Sequence, residues 1–517
     1  MKNLLRFLTL FLMTIACSSN RTEKSIPDRA KAGDITLKPC FFKTKTGRFK
    51  AESGTLIVSE SWRKGPSRLI SLPVIWVHSI SDKPLEPIFY LAGGPGQTNM
   101  KFKPPDDLLS NHDFVMVGYR GVDGSTKLDC PEVNRAIKGK GRDLLSDPSL
   151  INLSTAYCEC ATRLQSEGVN LNAYSILDVI HDMETARTAL GYDRINLLSQ
   201  SYGTRIAQIY AYQQPTIIHR SVMVGVNPPG RFVWEPETID RQIEYYNHLW
   251  SQDSVSRSRT LDLNQTLRDV LQNMPNHWLF FPIDKGKVKL IAFALLYHRN
   301  TAAQVFDTFI AAEKGDPSGL ALMTLAYNFM FPKMITWGDL AAKAISADYD
   351  STRNYAKEMD PSNSILGSPF SKLLWRLADW PTESIPEEYR KVQNSSVQTL
   401  LLSGSIDFST PAEYATNQLL PQLENGKQVI LKEMGHTHDL WNVQRPATVL
   451  LVTSFFDSGI ADDSLFTYTP MDFHVSLSFP LIIKIGIVFL LLVILGIMFL
   501  IRTIFRRIKG LKVKNSV

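Results

Sequence analysis

Between residues 38 and 226 the sequence alternates short apolar runs with stretches of helical period, and this alternation restricts the fold more than any other feature. The apolar runs have the length of strands, and they are Ile88–Leu91, Phe114–Gly118, Ile195–Leu198 and Ser221–Val224. Between the second and third of them, Ile176–Leu190 spaces its apolar residues as one face of a helix does. Strands that alternate with helices are typical of a mostly parallel sheet flanked by helices, so an α/β fold is expected.

The strand pattern is interrupted in the middle of the chain and returns later. Residues 231–395 are rich in Trp, Tyr, Gln and Asp and have helical periods with few strand signals. Strand-like runs return at Val397–Leu402 and Gln428–Leu431. We therefore expect a core in two parts, residues 36–230 and 396–470, which is interrupted by an inserted helical cap, residues 231–395.

The chain begins with MKNLLRFLTLFLMTIAC, which has a basic start, a short apolar run and a small residue before Cys17. This pattern is typical of a secretory signal and is too short to span a membrane comfortably. Residues 1–17 resemble a bacterial lipoprotein signal, which implies lipidation of Cys17, although Thr14 stands where leucine is usual. Plain cleavage and an uncleaved anchor are the alternatives. Residues 18–35 are polar without an apolar period and are expected to form a tether.

Residues 479–501 are apolar enough to cross a bilayer as a helix, and Lys484 is the one charged residue among them. Lys484 lies near the end of the segment, where its side chain can reach the membrane surface. No polar face interrupts the run after Lys484, which argues against a buried core helix. Residues 502–517 carry six basic residues and no acidic one, so the positive-inside rule places this tail in the cytoplasm. The rest of the chain is then expected outside the cytoplasm, as the N-terminal signal independently requires.

The two expected membrane-associated ends account for the basic balance of the chain. Residues 1–17 and 479–517 carry nine basic residues and no acidic one, so the formal charge of +6 leaves −3 for residues 18–478. A nucleic-acid partner is therefore not expected. A lipid on Cys17 followed by Ser18 favours the outer membrane, whereas a helical span favours the inner membrane. We expect an inner-membrane anchor in a bacterial cell envelope, with the large domain in the periplasm.

Five cysteines are present, and lipidation of Cys17 leaves four in an oxidising compartment. Four cysteines allow three pairings. Cys158 and Cys160 are too close in sequence for an easy mutual bridge, so each is expected to pair with Cys40 or Cys130. A metal site is the alternative, but no histidine lies near these cysteines at ligand spacing.

The segment LLSQSYGT, residues 197–204, places a serine at a sharp turn between a strand and a helix. The strand pattern before it and the helical period of residues 202–212 together form the nucleophile-elbow pattern. Gly203 is the small residue that such a turn needs after the serine, and Ser199 stands where the first glycine is usual. Ser201 is therefore a candidate nucleophile, and a structural turn is the alternative.

The segment LAGGPGQ, residues 91–97, follows a strand directly. Its glycines let the backbone present N–H groups to a ligand, as an oxyanion hole requires. A simple turn at the end of a strand is the alternative.

Together with GYRGVDGSTKLDC, residues 118–130, these two segments resemble the signatures of the proline iminopeptidase and tripeptidyl aminopeptidase group of α/β-hydrolases. In that family a GGPG loop, a strand ending in an RG-x-G-S-like turn and a GGSYG-like elbow follow in this order. The resemblance covers about residues 36–230 and 396–445. It implies an α/β-hydrolase fold and a serine exopeptidase that removes N-terminal residues from short peptides.

The family order implies an acid and then a histidine further along the chain. LLLSGSIDFSTP, residues 400–411, is similar to the family's strand followed by G-x-x-D-x-x-TP, which implies Asp407 as the acid. KEMGHTHDLW, residues 432–441, resembles the family's G-H end motif, which implies His436 as the general base. His438 is the alternative base, and we expect it to contact substrate or solvent instead.

These three residues predict an acyl-enzyme mechanism. His436 accepts the proton of Ser201, whose oxygen attacks the carbonyl carbon of an amide or an ester. Asp407 holds the imidazole in the required tautomer. The order serine, aspartate, histidine along the chain is the α/β-hydrolase order. The chemistry requires no metal and no organic cofactor.

The oxyanion hole is expected to consist of the N–H groups of Gly94 and Tyr202, with Gly93 as the near alternative to Gly94. A free peptide N-terminus needs a carboxylate for recognition, and the family places acids in the cap. Glu235 and Glu237, at the entry to the cap, are therefore the candidate residues for binding the substrate amine.

Arg120 is expected to stabilise its loop through ion pairs rather than to act in the site. Two other functions remain open at this point. An esterase or lipase uses the same three catalytic residues, and a non-catalytic envelope protein can keep the fold. The non-catalytic envelope protein is supported only by Ser199 and by the absence of a histidine before Gly93.

Overall fold

The structure, a computed structural model, describes residues 26–63, 67–139, 143–375 and 380–514, with the backbone alone for residues 507–514. The expected signal, residues 1–17, and the lipidation of Cys17 lie outside these residues and remain predictions. Of the expected tether, only residues 26–35 are described, and the first strand begins at Ile35.

A twisted central sheet is the framework of the described chain. Its strands and one separate hairpin are β1 (Ile35–Lys43), β2 (Arg48–Ser59), β3 (Leu69–Val77), β4 (Leu85–Leu91), β5 (His112–Val117), β6 (Ile195–Gln200), β7 (Ile218–Val224), β8 (His277–Trp278), β9 (Phe281–Pro282), β10 (Gln398–Gly404) and β11 (Gly426–Leu431). The sheet has the order β1-β2-β3-β5-β4-β6-β7-β10-β11, and β8 pairs only with β9. The pairs from β5 to β11 are parallel, whereas β1, β2, β3 and β5 pair antiparallel.

The six strands predicted from apolar runs are confirmed as β4, β5, β6, β7, β10 and β11. The residues of β4, β5, β6, β7 and β10 are mostly buried, as expected for parallel strands covered on both faces, whereas β11, at the other edge of the sheet, is only partly buried. The three antiparallel strands β1, β2 and β3 were not predicted. In β1 half-buried and exposed residues mix, and Phe41 is exposed, because the strand is at the edge of the sheet. Such a strand carries no continuous apolar signal.

Helices connect the parallel strands and form the segment between β7 and β10. They are α1 (Leu108–Asn111), α2 (Pro131–Ala136), α3 (Asp147–Ser166), α4 (Ile176–Ala189), α5 (Tyr202–Gln213), α6 (Pro236–Gln252), α7 (Ser254–Arg257), α8 (Leu263–Gln272), α9 (Lys285–Leu295), α10 (Arg299–Glu313), α11 (Ser318–Met330), α12 (Trp337–Asp348), α13 (Tyr355–Glu358), α14 (Pro369–Leu374), α15 (Ala412–Tyr414), α16 (Thr437–Asn442), α17 (Arg445–Ser458) and α18 (Phe479–Lys514). The predicted helix at Ile176–Leu190 is confirmed as α4.

The segment between β7 and β10 is mostly helical, in agreement with its sequence pattern, and we refer to residues 231–395 as the cap. An aromatic cluster lies inside it, in which the Trp250 ring is 6.4 Å from that of Phe306. Phe473 belongs to the stretch before α18, yet its ring is buried 5.0 Å from Trp250 and 6.1 Å from Phe306. The link to α18 therefore packs against the cap.

Helix α18 contains the expected span. Its part Phe479–Arg506 is long and apolar enough to cross a membrane, by length and composition, with a mean hydropathy of 3.0 and 6% burial in its most apolar window. The Lys484 ammonium bonds the Asp316 carboxylate of the cap at 2.6 Å. The one charge in the apolar segment is therefore paired where α18 leaves the cap.

The cysteine pairing differs in part from the expectation. Cys130 and Cys160 form a disulfide between the start of α2 and the middle of α3. The expected second bridge, from Cys40 to Cys158, is wrong, since Cys40 is a free thiol in the structure. Cys40 lies on the edge strand β1, whereas Cys158 lies on α3, which packs against α2. Sequence spacing does not reveal that separation.

Candidate active site

Ser201 lies at the turn between β6 and α5. Its φ of 51° and ψ of −125° are rare for a residue other than glycine. The Ser201 N–H donates to the Val224 carbonyl of β7 at 2.9 Å, and its carbonyl accepts from the Thr204 N–H at 2.9 Å. These bonds hold a strained strand–turn–helix of the kind that exposes a nucleophile.

Two small residues make this turn possible. A Cβ on Gly203 would lie 2.2 Å from the carbonyl oxygen of Leu91 and 2.6 Å from that of Ala92, so only glycine fits there. Ser199 is fully buried, and its hydroxyl donates to the Val222 carbonyl at 3.1 Å. The serine that replaces the usual glycine is therefore accommodated by a hydrogen bond between β6 and β7.

Asp407 and His436 are bonded to each other, with 2.8 Å between Asp407 Oδ2 and His436 Nδ1. The other Asp407 oxygen accepts the N–H groups of Ser409 and Thr410 at 2.9 and 2.8 Å, and the Thr410 hydroxyl donates to Oδ2 at 2.7 Å. Asp407 is fully buried and His436 is 5% exposed. A carboxylate that accepts four such bonds is fixed in position and holds the imidazole in one orientation.

The main chain after β7 places His436 beside the Ser201 turn. A Cβ on Gly225, whose φ is +67°, would lie 3.0 Å from Cε1 and 3.2 Å from Nδ1 of His436. Gly225 directly follows Val224, whose carbonyl accepts the Ser201 N–H. The His436 N–H donates to the Tyr297 carbonyl of the cap at 2.7 Å. The three expected catalytic residues thus follow the carboxyl ends of the parallel strands β6, β10 and β11.

The glycine loop after β4 runs over Ser201. A Cβ on Gly93 would lie 3.0 Å from the Ser201 Cβ and 3.6 Å from its Oγ. Gly94 has a φ of +132°, and a Cβ there would lie 3.2 Å from the Gln97 nitrogen. Tyr202 begins α5 directly after the serine. The loop therefore presents backbone rather than side chains to Ser201, and its direct contact with the serine is made by Gly93.

A buried ion pair of the cap holds the same loop, and the sequence did not single it out. Asp339 of α12 accepts the Gly96 N–H at 3.0 Å, and the Thr336 N–H donates to the Gly96 carbonyl at 2.8 Å. The Lys343 ammonium pairs with Asp339 and donates to the Arg120 carbonyl at 3.2 Å. Burial raises the pKa of Asp339, while Lys343 and Gly96 favour its ionised form. An acid and a base four residues apart on the mostly apolar helix α12 are the signal that identifies this pair.

Arg120 has the structural role expected for it. Its fully buried guanidinium makes two bonds of 2.6 Å to the Asp182 carboxylate and also donates to the carbonyls of Ser59 and Ala173. These contacts tie its loop to β2 and α4, away from the reacting atoms.

The remaining predicted residues are either paired with another side chain or exposed. Glu235 receives two bonds from Arg353, at 2.8 and 3.0 Å, so its charge is paired within the cap. Glu237 is exposed in the first turn of α6. His438 is 65% exposed, 3.8 Å from Asp439. Within the described residues, none of these side chains makes a hydrogen bond or an ion pair with Ser201, Asp407 or His436.

Aromatic side chains of the cap contact one another in a row that ends at His436. Their ring centroids are 5.5 Å apart for Trp234 and Phe293, 5.5 Å for Phe293 and Tyr297, and 5.4 Å for Tyr297 and His436. The Trp234 indole N–H donates to the Ser409 carbonyl at 3.1 Å, next to the Asp407 loop. This contact ties the cap to the loop that holds Asp407.

Known proteins that are similar to this chain share its fold. The family model of the alpha/beta hydrolase fold matches residues 86–293, and the model described as TAP-like protein matches residues 366–464. A tripeptidyl aminopeptidase of Streptomyces lividans is 22% identical over 427 residues, which cover 74% of this chain and 76% of that protein. The tripeptidyl aminopeptidase of Streptomyces coelicolor is 23% identical over 429 residues, with the same coverage.

Among solved structures, a serine hydrolase from Cycloclasticus zankles is 12% identical, with a TM-score of 0.33, and covers 83% of this chain and 100% of its own. The sheet order, the two family models and the two relatives agree on the fold and the class of enzyme. The chain is a hydrolase with the α/β-hydrolase fold, and it is similar to the tripeptidyl aminopeptidases.

Proposed function

We propose that this protein is a serine peptidase that releases N-terminal residues or short peptides through an acyl-enzyme on Ser201. The observation that carries the proposal is the 2.8 Å bond between Asp407 and His436 beside the strained Ser201 turn. The two Streptomyces relatives, both tripeptidyl aminopeptidases, support a peptide substrate.

In the first step His436 acts as the general base. Its Nδ1 is occupied by Asp407, so Nε2 is the nitrogen that takes the proton from Ser201. The serine oxygen forms a bond to the peptide carbonyl carbon, and the carbonyl oxygen becomes an oxyanion. Backbone N–H groups of the Gly93–Gly94 segment and of Tyr202 are proposed to hold that charge. Asp407 stabilises the imidazolium that forms.

In the second step the imidazolium gives its proton to the leaving amine, and the peptide C–N bond breaks. The N-terminal fragment is then an ester on Ser201. Water attacks this ester, with His436 again as the base, and releases the fragment as a carboxylic acid. The cycle therefore consumes one water and needs no metal or organic cofactor.

Recognition of the substrate amine is proposed to involve the acids at the entry to the cap. A protonated N-terminus needs a negative partner when water is excluded. Glu235 is already paired with Arg353, so binding through Glu235 requires the substrate to share or displace that pair. Glu237 lies on the exposed first turn of the same helix and is the second proposed partner.

The enzyme is proposed to act outside the cytoplasm while anchored in the inner membrane. Support comes from the apolar part of α18, Phe479–Arg506, and from the basic tail that follows it in the sequence. The sequence pattern of residues 1–17 supports export, and Cys17 is the proposed lipidation site.

A substrate panel tests the proposed activity. The full-length protein in detergent is assayed with tripeptidyl 7-amido-4-methylcoumarins, with a free or an acetylated N-terminus, and with p-nitrophenyl esters. We expect turnover of the free tripeptides and much slower turnover of the acetylated ones. Turnover of acyl esters alone would show an esterase, and turnover of acetylated peptides as fast as free ones would remove the aminopeptidase assignment.

A further inference from the structure

Two histidines and an aspartate form a cluster where the cap meets the core, next to His436. His298 directly precedes α10 of the cap, and His438 and Asp439 lie in the first turn of α16. Their possible ligand atoms all lie within 4.8 Å of one another. Asp439 Oδ1 is 3.9 Å from His298 Nδ1 and 3.8 Å from His438 Nδ1. Both separations exceed hydrogen-bond length, so the three groups lie close together without bonding each other.

The hydrogen bonds around the cluster leave Asp439 Oδ1 and His298 Nδ1 available to a ligand. Asp439 Oδ2 accepts the N–H groups of Gly435 at 3.0 Å and of Arg299 at 2.9 Å, so its other oxygen faces the histidines. His298 Nδ1 is buried and has no hydrogen-bond partner within the described residues. A buried nitrogen without a partner costs free energy unless a ligand satisfies it.

We propose that His298, His438 and Asp439 bind a divalent transition-metal ion of the zinc type. Two imidazoles and a carboxylate are a ligand set that such ions take, with water in the fourth position. Metal bonds of about 2.0–2.1 Å put tetrahedral ligands about 3.3 Å apart, so the cluster closes by roughly 1 Å when it binds the ion. His438, whose side chain is 65% exposed, is free to make that movement. The ion links the cap to the turn that carries His436 and takes no part in the peptidase chemistry.

Zinc titration tests this site independently of enzyme activity. Full-length protein with a purification tag that lacks histidine is stripped with a chelator and titrated with ZnCl2 and with MgCl2 by calorimetry. We expect one Zn²⁺ per chain, no Mg²⁺, and an affinity about 10- to 100-fold lower in His438→Ala. The matched control is His248→Ala, which removes an exposed cap histidine and leaves the affinity unchanged.

Thermal unfolding gives the second readout. Zn²⁺ is expected to raise the Tm of the wild type and of His248→Ala, but not that of His438→Ala or His298→Ala. The proposal is overturned if the wild type binds no zinc, or if both cluster variants bind it as tightly as the wild type.

A different observation concerns the outer face of the cap near α18. The apolar patch consists of Leu279 and Phe280 at the tip of the β8–β9 hairpin, Phe329 and Met330 at the end of α11, and Met334, which are 51–77% exposed. The hairpin packs on α11. Along α11, Leu322, Leu325 and Ala326 continue toward α18 on the same helical face as Phe329 and Met330.

Helix α11 also packs against the start of the apolar helix. A Cβ on Gly319 of α11 would lie 3.0 Å from the Pro480 side chain, and Asp316, just before α11, pairs with Lys484. A large exposed apolar patch on a soluble surface usually marks an interaction site. Here it is continuous with the segment that is proposed to enter the bilayer.

We infer that the apolar patch inserts into the membrane surface. The cap then contacts the bilayer in which α18 is anchored. The occupant of this face is the lipid acyl-chain region, and the inference rests on the proposed membrane anchoring. Apolar side chains at a helix face that meets the interface gain free energy from burial among acyl chains. Ile335, one residue beyond the patch, contacts the Gly96 loop, which places the patch close to the site.

Lipid-borne photolabelling separates the possible outcomes. The full chain is placed in nanodiscs that contain a phosphatidylcholine with a diazirine on its acyl chain, and the labelled peptides are mapped by mass spectrometry. We expect labels in residues 277–282 and 326–334 as well as in α18. Val255 and Leu261, which are 70% and 82% exposed elsewhere on the cap, are the internal controls and should stay unlabelled. Labels in α18 alone overturn this inference, and labels in neither region overturn the membrane anchoring itself.

Discussion

Gly225→Ala is expected to disable the enzyme through a single methyl group. The new Cβ would lie 3.0 Å from His436 Cε1, whereas carbon atoms pack at about 3.5–4.0 Å, so the imidazole has to move by roughly 0.5–1 Å. A displacement of about 1 Å in a catalytic group can lower the rate about 10²-fold. Because the substrate pocket is not changed, the loss should appear in kcat rather than in KM.

The same substitution also lowers the stability of the fold through the positive φ of residue 225, and this loss can be measured separately. Gly225 has a φ of +67°, and an L-residue there costs about 1–2 kcal/mol. Gly191 has a φ of +78°, and a Cβ on it would meet nothing within 4 Å. Gly191→Ala is therefore the matched control, with the same backbone penalty and no contact with the site.

Both variants are compared by urea unfolding and by steady-state kinetics on a free tripeptidyl coumarin. We expect similar losses of stability and a ten- to hundredfold loss of kcat in Gly225→Ala only. Wild-type kcat in Gly225→Ala, or an equal loss of kcat in both variants, would refute the assignment of His436 as the base.

Three further predictions concern the acid, the cap and the disulfide. Asp407→Asn should lower kcat by about 10³- to 10⁴-fold with little loss of folding, as measured by kinetics and circular dichroism, and near-normal turnover would contradict its role. Burial disfavours the charge of Asp360, but Lys289 and its second lysine partner lower the pKa of that carboxyl overall. Its stabilising effect is present above the pKa of the unfolded chain and is lost as pH falls through the lowered pKa of the folded chain. Asp360→Asn should therefore unfold earlier in urea than the wild type at pH 7, and the difference should narrow as the pH is lowered; a difference that does not change with pH would contradict this. Replacement of Cys130 and Cys160 by alanine should lower stability by about 3–4 kcal/mol for a loop of 30 residues, and an unchanged urea midpoint would contradict the bridge.

The parallel half of the fold was predictable because its signal is local. Strands buried on both faces have to be continuously apolar, and that pattern located β4, β5, β6 and β7. The elbow was predictable for a similar reason, since the strand, the serine and Gly203 are consecutive in the sequence. Asp407 and His436 came from the order of family motifs, because nothing local distinguishes a catalytic aspartate from one that forms a turn.

The contacts between the cap and the core were not predictable from the sequence. Asp339 and Gly96 are 243 residues apart, and only the folded chain shows that the carboxylate accepts the loop N–H. The disulfide partner of Cys160 depends in the same way on how α2 meets α3. Sequence patterns identify elements that bury a face, but they do not record which elements meet.

Covalent labelling is the direct test of Ser201 as the nucleophile. The full-length protein is treated with a fluorophosphonate, and the modified peptide is identified by mass spectrometry. Ser199→Ala is the control, since it removes only the neighbouring hydroxyl that bonds β7. We expect one phosphonate on Ser201 in the wild type and in Ser199→Ala, and none in Ser201→Ala. No label in the wild type, or a label that persists in Ser201→Ala, would contradict it.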